Sequence, residues 1–410
     1  MVPSVGYTRG ATLSSLMAAT VATAAAVAAA GCAADDVDVQ QTAGGALVSD
    51  NGLSSVNGLS SVNGLSSVNG LSSVNGLSSV NGLSSVNGLM TSSAGRQTVT
   101  YLVRCALAAG DALVKQDQYG NSYTFSGALG VAPQWKYGAC DAGCQQIVSA
   151  CLMAHVNTTG RHISLWLDGP APLGWGRDPA HPMQESAFFG NIFVSPPQAY
   201  FCNGFDWDRG PVSGRIGANQ PGSPYSNPFG TNALCRNSCT TVGFYGEAYG
   251  ACGGWKNVVT VFRDFDPNVP YTICNTATDL CLDVSGYSSA AGAQIVLDPP
   301  TGLANQQFFF ERVNALSDSG EYRIRSASSG LYLDISGAVR SAGGGLIQWA
   351  NDGGANQLWW MTQVLAGSYT LVNANSNMQL TAAAPANAQV VQIPGGDYSP
   401  TEMFKLTLAQ

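Results

Sequence analysis

Ala355-Asn356-Gln357-Leu358-Trp359 is the stretch from which the organisation of this chain can be read outward. Its elements recur. Asn305-Gln306-Gln307-Phe308 is an earlier copy, and each copy follows a short segment carrying an acid. Cys281-Leu282-Asp283-Val284-Ser285-Gly286 precedes the first, and Leu331-Tyr332-Leu333-Asp334-Ile335-Ser336-Gly337 precedes the second. Asp283 to Asn305 and Asp334 to Asn356 span the same 22 positions. A worn third copy runs from Met378-Gln379-Leu380-Thr381 to Thr401-Glu402-Met403-Phe404. Three units of about 45 residues, with short apolar runs broken by Gly, Asn and Ser turns, predict a closed all-β module over residues 269–410. One unit cannot bury its apolar face alone, but three can share a core. Phe308, Trp359 and Phe404, at equivalent repeat ends, should meet in it.

This pattern resembles the ricin B-type lectin family, a β-trefoil that binds galactose-like and other sugars, and the resemblance covers about a third of the chain. It implies a shallow site in each repeat. There an Asp carboxylate and an Asn amide take sugar hydroxyls while an aromatic ring stacks on the pyranose. Residue by residue, the second repeat carries Asp334, Trp349 and Asn356, with Gln348 beside the ring and Gln357 in support. The first keeps Asp283 and Asn305, but Asp298 stands at the ring position, leaving a weaker site in which Tyr287 could substitute. In the third, Thr381, Thr401 and Ile393 occupy the three places, and the repeat is expected to be structural. The competing expectation is that the acids only cap turns in a trefoil that has lost sugar binding. Cys274 and Cys281 are close enough to staple the hairpin that opens the first repeat.

Upstream, residues 1–31 resemble a bacterial lipoprotein signal. Arg9 is the only charged residue ahead of an Ala-rich run that ends at Ala29-Ala30-Gly31-Cys32. The resemblance makes Cys32 the lipidated first residue of the mature protein, although Ala29 stands where Leu is usual. An ordinary secretory signal and a retained membrane helix are the alternatives. The expected location is the outer membrane or cell surface, otherwise the medium. Residues 32–95 read as a linker: positions 51–86 are six copies of Asn-Gly-Leu-Ser-Ser-Val. A flexible stalk fits the Asn-Gly turns and small Ser and Gly. A parallel β-helix would also place Leu and Val inside, but six hexads make too few coils to stack a core.

Residues 96–267 read as a disulfide-rich α+β domain. The run Thr98–Leu107 is too uniformly apolar to type. Asp141 can cap a helix to Val156 whose one face carries Cys144, Ile147, Val148, Cys151, Leu152 and His155. His162–Leu167 alternates as a strand does, and Val258–Phe262 closes the region. Without Cys32, ten of the 11 cysteines remain, an even number that implies about five bridges in an exported chain. Three-residue gaps among Cys140, Cys144, Cys235 and Cys239 do not suit zinc. No metal and no cofactor are assigned.

The polar set His181, Glu185, Asp206, Asp208, Arg209 and Arg215 lies among aromatic residues. Glycoside hydrolysis needs paired carboxylates, and Glu185 with Asp206 or Asp208 would supply them, although solvated loop acids are the simpler account. Only 10% of residues are charged, 45% are hydrophobic, and the formal net charge is -8. That balance excludes a disordered chain and speaks against a nucleic-acid partner, which needs a basic patch. The favoured function is carbohydrate binding by a lectin anchored to a membrane through its N-terminal lipid. The alternatives are a secreted polysaccharide hydrolase with a trefoil targeting module, and a structural adhesion protein.

Overall fold

A computed structural model of the chain describes residues 47–51, 53–54, 88–157, 163–176, 178–205, 217, 223, 225–243, 248–313, 320–365, 367–382, 385–396 and 399–409. The signal segment with Cys32, most of the hexad array, and Asp206, Asp208, Arg209 and Arg215 lie outside the described residues.

Two short strands, β1 (Leu47–Asn51) and β2 (Leu53–Ser54), come from the segment read as linker. Helix α1 (Ser93–Ala106) also starts within it. Ser92 opens α1 by accepting a hydrogen bond from the Gly95 backbone N–H at 3.0 Å, a local N-cap. Val99, Leu102, Val103, Cys105 and Ala106 are all fully buried. The untyped apolar run is therefore the C-terminal part of a helix, buried on nearly every side, so the run read without the turns before it lacks the one-sided periodicity of the whole helix. A hairpin of β3 (Ala112–Gln116) and β4 (Ser122–Ser126) follows. Helix α2 (Ala142–Ala154) is capped as expected, with Asp141 Oδ1 accepting from the Cys144 N–H at 2.8 Å.

The strands β5 (Val156–Asn157), β6 (Ile163–Asp168), β7 (Met183–Asn191), β8 (Gln198–Asn203), β9 (Cys239–Val242), β10 (Ala248–Cys252) and β11 (Val259–Arg263) complete this region. Its main sheet has the order β1-β6-β11-β7-β8, every pair antiparallel. All nine residues of β7 are buried, as expected for a strand covered on both faces. Among the described residues five disulfides form: Cys105–Cys151, Cys140–Cys144, Cys202–Cys235, Cys239–Cys252 and Cys274–Cys281. Cys151 thus ties α2 to α1. Cys144 pairs with Cys140, just ahead of its own helix.

The C-terminal module has twelve strands among the described residues: β12 (Tyr271–Asn275), β13 (Cys281–Val284), β14 (Ile295–Asp298), β15 (Phe308–Arg312), β16 (Glu321–Ser326), β17 (Tyr332–Ile335), β18 (Leu346–Trp349), β19 (Trp359–Leu365), β20 (Ser368–Asn373), β21 (Met378–Thr381), β22 (Val391–Pro394) and β23 (Phe404–Leu408). All twelve belong to one sheet, and β23 returns to pair with β12. Phe308, Trp359 and Phe404 share its core, each with no exposed surface. The fold is multidomain: an all-β trefoil preceded by a disulfide-stapled α+β region.

The joint between them is aromatic. Phe265, just past β11, belongs to the trefoil core, together with Met183 of β7. Its ring stacks on Phe310 at 4.3 Å and meets Tyr271, Tyr322 and Tyr369, one tyrosine from each repeat. Tyr322 donates through its hydroxyl to Asp264 Oδ1, and Tyr369 donates to the Pro182 carbonyl at 3.3 Å. The Tyr271 oxygen accepts from the Asp266 N–H at 3.2 Å. All three hydroxyls are therefore satisfied by the α+β region, as buried phenols require.

Candidate functional site

In the second repeat, β17 and β18 pair with Tyr332 opposite Trp349, Leu333 opposite Gln348 and Asp334 opposite Ile347. Side chains alternate across a strand, so Asp334 and Trp349 share the outer face while Leu333 and Gln348 turn to the core. A single 3-10 turn, Ala355–Gln357, brings Asn356 and Gln357 over the acid. Asn356 Nδ2 and Gln357 Nε2 both donate to Asp334 Oδ2, at 2.8 and 2.9 Å. Gln357 is itself fixed by the Ala350 carbonyl and the Asp352 N–H. No described residue bonds Asp334 Oδ1. Burial pushes the Asp334 carboxyl above the ordinary carboxylate range. The Gln357 and Asn356 hydrogen bonds oppose that shift, and the Asp352 charge adds to it.

Trp349 stands 42% exposed beside this buried acid, which is how a stacking platform has to be placed. Gly292 of the first repeat backs the ring in a left-handed conformation (φ 84°), where an added Cβ would lie 3.4 Å from Trp349 Cζ3. Gly354 has an ordinary φ of -66°, so its role is space. A Cβ there would sit 2.3 Å from Asn356 Oδ1. The missing side chain leaves that amide oxygen uncovered, next to the acid and the ring.

The first repeat builds the same acid–amide lock. Asn305 and Gln306 donate to Asp283 Oδ2 at 2.8 and 2.9 Å. The mouth differs. Register places Asp298 opposite Cys281, where the second repeat has Trp349 opposite Tyr332. Leu303 replaces Gly354, and Asn305 Oδ1 is buried without a hydrogen-bond partner. Burial raises the Asp283 carboxyl, and the Asp298 charge raises it further against the two amides. Tyr287 is 52% exposed, but no contact links its ring to Asp283. In the third repeat, register puts Ile393 at the ring position, opposite Gln379. The polarity of the lock is exchanged there: Gln379 on the strand donates to the carboxylate of Glu402, which occupies the place of Gln357.

Residues 304–393 match the family described as ricin-type beta-trefoil lectin domain-like. The C-terminal module is a ricin B-type β-trefoil. Among solved structures, the designed three-fold symmetric protein ThreeFoil is 26% identical. The match covers 34% of this chain and 97% of that one, with a TM-score of 0.32. An exo-β-1,3-galactanase from Clostridium thermocellum is 23% identical, over 40% of this chain and 33% of its own length, at 0.33. The Macrolepiota procera ricin B-like lectin in complex with lactose is 17% identical, over 35% and 96%, at 0.29. No curated protein matches the chain.

Within the trefoil, Gln348 is not part of the sugar-facing set. It is fully buried, its Nε2 donating to the Ser288 and Ala290 carbonyls and its Oε1 accepting from Ser329 Oγ at 2.7 Å. Gln392 makes the same ties one repeat later, to Val339, Ser341 and Ser376. Gln348 is thus a strut between repeats, and its place next to Trp349 on an alternating strand is the reason it cannot face the same way.

Of the polar set read in the α+β region, two members are described. Glu185 is fully buried in β7 with Oε1 3.6 Å from Arg263 Nε of β11, and Ser186 Oγ donates to its Oε2. Its carboxylate is buried against Arg263 rather than open to solvent, which speaks against its reading as a candidate general acid. His181 is also buried, and it does have partners: its Nδ1 bonds Asp178 and its Nε2 bonds Ser164 Oγ at 2.8 Å. Sequence offered only the Asp178–His181 spacing as a signal, and nothing pointed to a serine 17 positions upstream.

Proposed function

We propose that this protein is an exported carbohydrate-binding protein whose second trefoil repeat holds one sugar. The observation that carries this reading is the convergence of three features: an acid oxygen that no described residue bonds, an amide oxygen kept open by Gly354, and a half-exposed Trp349 ring. Asp334 Oδ1 and the Asn356 amide would take vicinal hydroxyls in paired bonds, and the ring would cover the apolar pyranose face. The family match to residues 304–393 supports a lectin use of this geometry. The first repeat would bind at best weakly, having lost its ring, and the third has no acid at the Asp334 position.

A lipid on Cys32 would hold many copies on one surface and convert weak single sites into avidity. Among the described residues no helix is long and apolar enough to cross a membrane, so anchoring rests on the signal-like sequence alone. Palmitate labelling of the expressed protein, lost in Cys32→Ser, tests it. The glycoside-hydrolase alternative has lost its best residue, since Glu185 is sealed against Arg263. Glycan-array screening of the full chain tests the lectin reading: binding should fall in Trp349→Ala and fall further in Asp334→Ala. Absence of any binding by the wild type would sink it.

A further inference from the structure

Ser164, His181 and Asp178 stand in a line. The Ser164 hydroxyl is 2.8 Å from His181 Nε2, and His181 Nδ1 bonds the Asp178 carboxylate. His181 is 3% exposed and Asp178 6%, whereas Ser164 is only partly buried. The base and its orienting acid are thus shielded from water, and Ser164 is the least buried of the three. The serine is placed by structure independent of the other two. Ser164 is carried by β6, held between β1 and β11 in the main sheet. Asp178 and His181 share a tight turn, closed by the His181 N–H donating to the Asp178 carbonyl at 3.0 Å.

The trefoil pins that turn from the other side. The Ala180 carbonyl lies 3.4 Å from Tyr322 Oη, whose proton goes to Asp264, and Tyr369 Oη donates to the Pro182 carbonyl. Gly320, in a left-handed conformation (φ 60°), lies so close that an added Cβ would be 2.4 Å from the Pro179 carbonyl oxygen. A second acid, Asp264, lies near enough to interact electrostatically with His181, and is held by Tyr322 and by Arg312 at 3.5 Å.

We propose that Ser164, His181 and Asp178 are the nucleophile, base and orienting acid of a serine hydrolase acting on carboxylic esters. A nucleophile–base hydrogen bond and a base–orienter hydrogen bond, in that order through the two ring nitrogens, are the geometric requirements for hydroxyl activation. Ser164 Oγ attacks the ester carbonyl carbon, forming a C–O bond, while its proton passes to His181 Nε2. The carbonyl re-forms as the bond to the leaving alkoxide breaks, and that oxygen takes the proton from Nε2. The acyl-serine is then hydrolysed by water, which gives a proton to Nε2 as it attacks. Ser164 recovers that proton as the free acid leaves. Asp178 fixes the ring tautomer and stabilises the imidazolium. It is a positioning residue.

Treating the full-length protein with a fluorophosphonate and mapping the adduct by peptide mass spectrometry tests this directly. Labelling at Ser164 is expected, with hydrolysis of p-nitrophenyl acetate reduced on the order of 10,000-fold in Ser164→Ala and His181→Gln. Asp178→Asn should lower kcat by a similar factor with little change in KM, since it touches no substrate. A wild type that is neither labelled nor active, an adduct on another serine, or unchanged turnover in Ser164→Ala would overturn the proposal. The wild-type labelling decides the matter even if a variant fails to fold. Neither probe is a sugar, so a negative result here leaves the lectin reading untouched.

Discussion

The first and second trefoil repeats share a lock and differ in its mouth. In both, an Asn and a Gln from a 3-10 turn donate to one carboxylate oxygen of a buried Asp, with distances that match to 0.1 Å or better. Around that common element the second repeat has Gly354 and Trp349, and the first has Leu303 and Asp298. The lock therefore behaves as part of the fold, fastening turn to strand in each repeat. On the proposed reading, binding capacity would lie in two positions at its rim. A motif that names the lock alone overcounts sites.

That comparison can be broken most sharply at the acids. Asp334→Ala should lower affinity for the sugar that the glycan array identifies on the order of 100-fold by isothermal titration calorimetry, since a charge-assisted pair contributes about 1.5–3 kcal/mol. Asp283→Ala should leave affinity unchanged. Both variants should lose about 1–3 kcal/mol of stability in denaturant titration, because each leaves buried amide donors unmatched. If Asp283→Ala lowers affinity as much, the first repeat is the functional one and the assignment is reversed.

Trp349→Ala comes next, with a loss of about tenfold, in line with the 0.5–1.5 kcal/mol of a ring contact beyond its area. The reciprocal change sharpens the contrast: Asp298→Trp with Leu303→Gly should raise the stoichiometry from one sugar per chain towards two. Gly354→Leu should abolish the remaining difference by crowding and covering Asn356 Oδ1, seen as lost binding together with a lowered thermal midpoint, since Asn356 must shift within the lock.

The smallest effect is in pH. Burial raises the Asp334 carboxyl, so acid should weaken binding at a higher pH than the value near 3.9 of a free Asp. Stability should move the other way. A carboxyl raised in the folded state favours folding below its unfolded pKa, and that contribution is lost as pH rises through the folded value. Asp283, raised for the same reason, adds to this. Titrations of binding and of unfolding above about pH 4 should therefore slope in opposite directions as the raised carboxyls ionise.

The trefoil was legible because symmetry writes it three times: matched Asp–Asn spacings located the lock, and equivalent aromatic ends located the core. The Gly354–Leu303 contrast was equally visible at matched positions. It carries meaning only once a Cβ at 354 is known to strike Asn356, which spacing does not reveal. Gln348 was misplaced by adjacency, since neighbours on a strand face opposite ways. The even cysteine number anticipated five bridges, but pairing depends on which helices meet, and Cys105–Cys151 spans 46 positions. The Ser164–His181–Asp178 line depends on a tertiary contact between a sheet strand and a turn held by another module, and no local pattern encodes it. The α+β region also recruits β1 and β2 from residues that composition alone reads as linker.

Phe265 makes the trefoil hard to exchange. Lectin modules are often pictured as interchangeable attachments, yet here the pseudo-threefold axis ends on a single side chain from the preceding region, ringed by Tyr271, Tyr322 and Tyr369. Cutting the chain between 267 and 269 would strip the plug from the C-terminal piece and leave the three phenols of that same piece unsatisfied. Heating should accordingly melt both regions in one calorimetric transition. Phe265→Ala, which removes about 3–5 kcal/mol, should split that transition in two. Modularity visible in the sequence has been traded for cooperativity, and the two parts would have to evolve together.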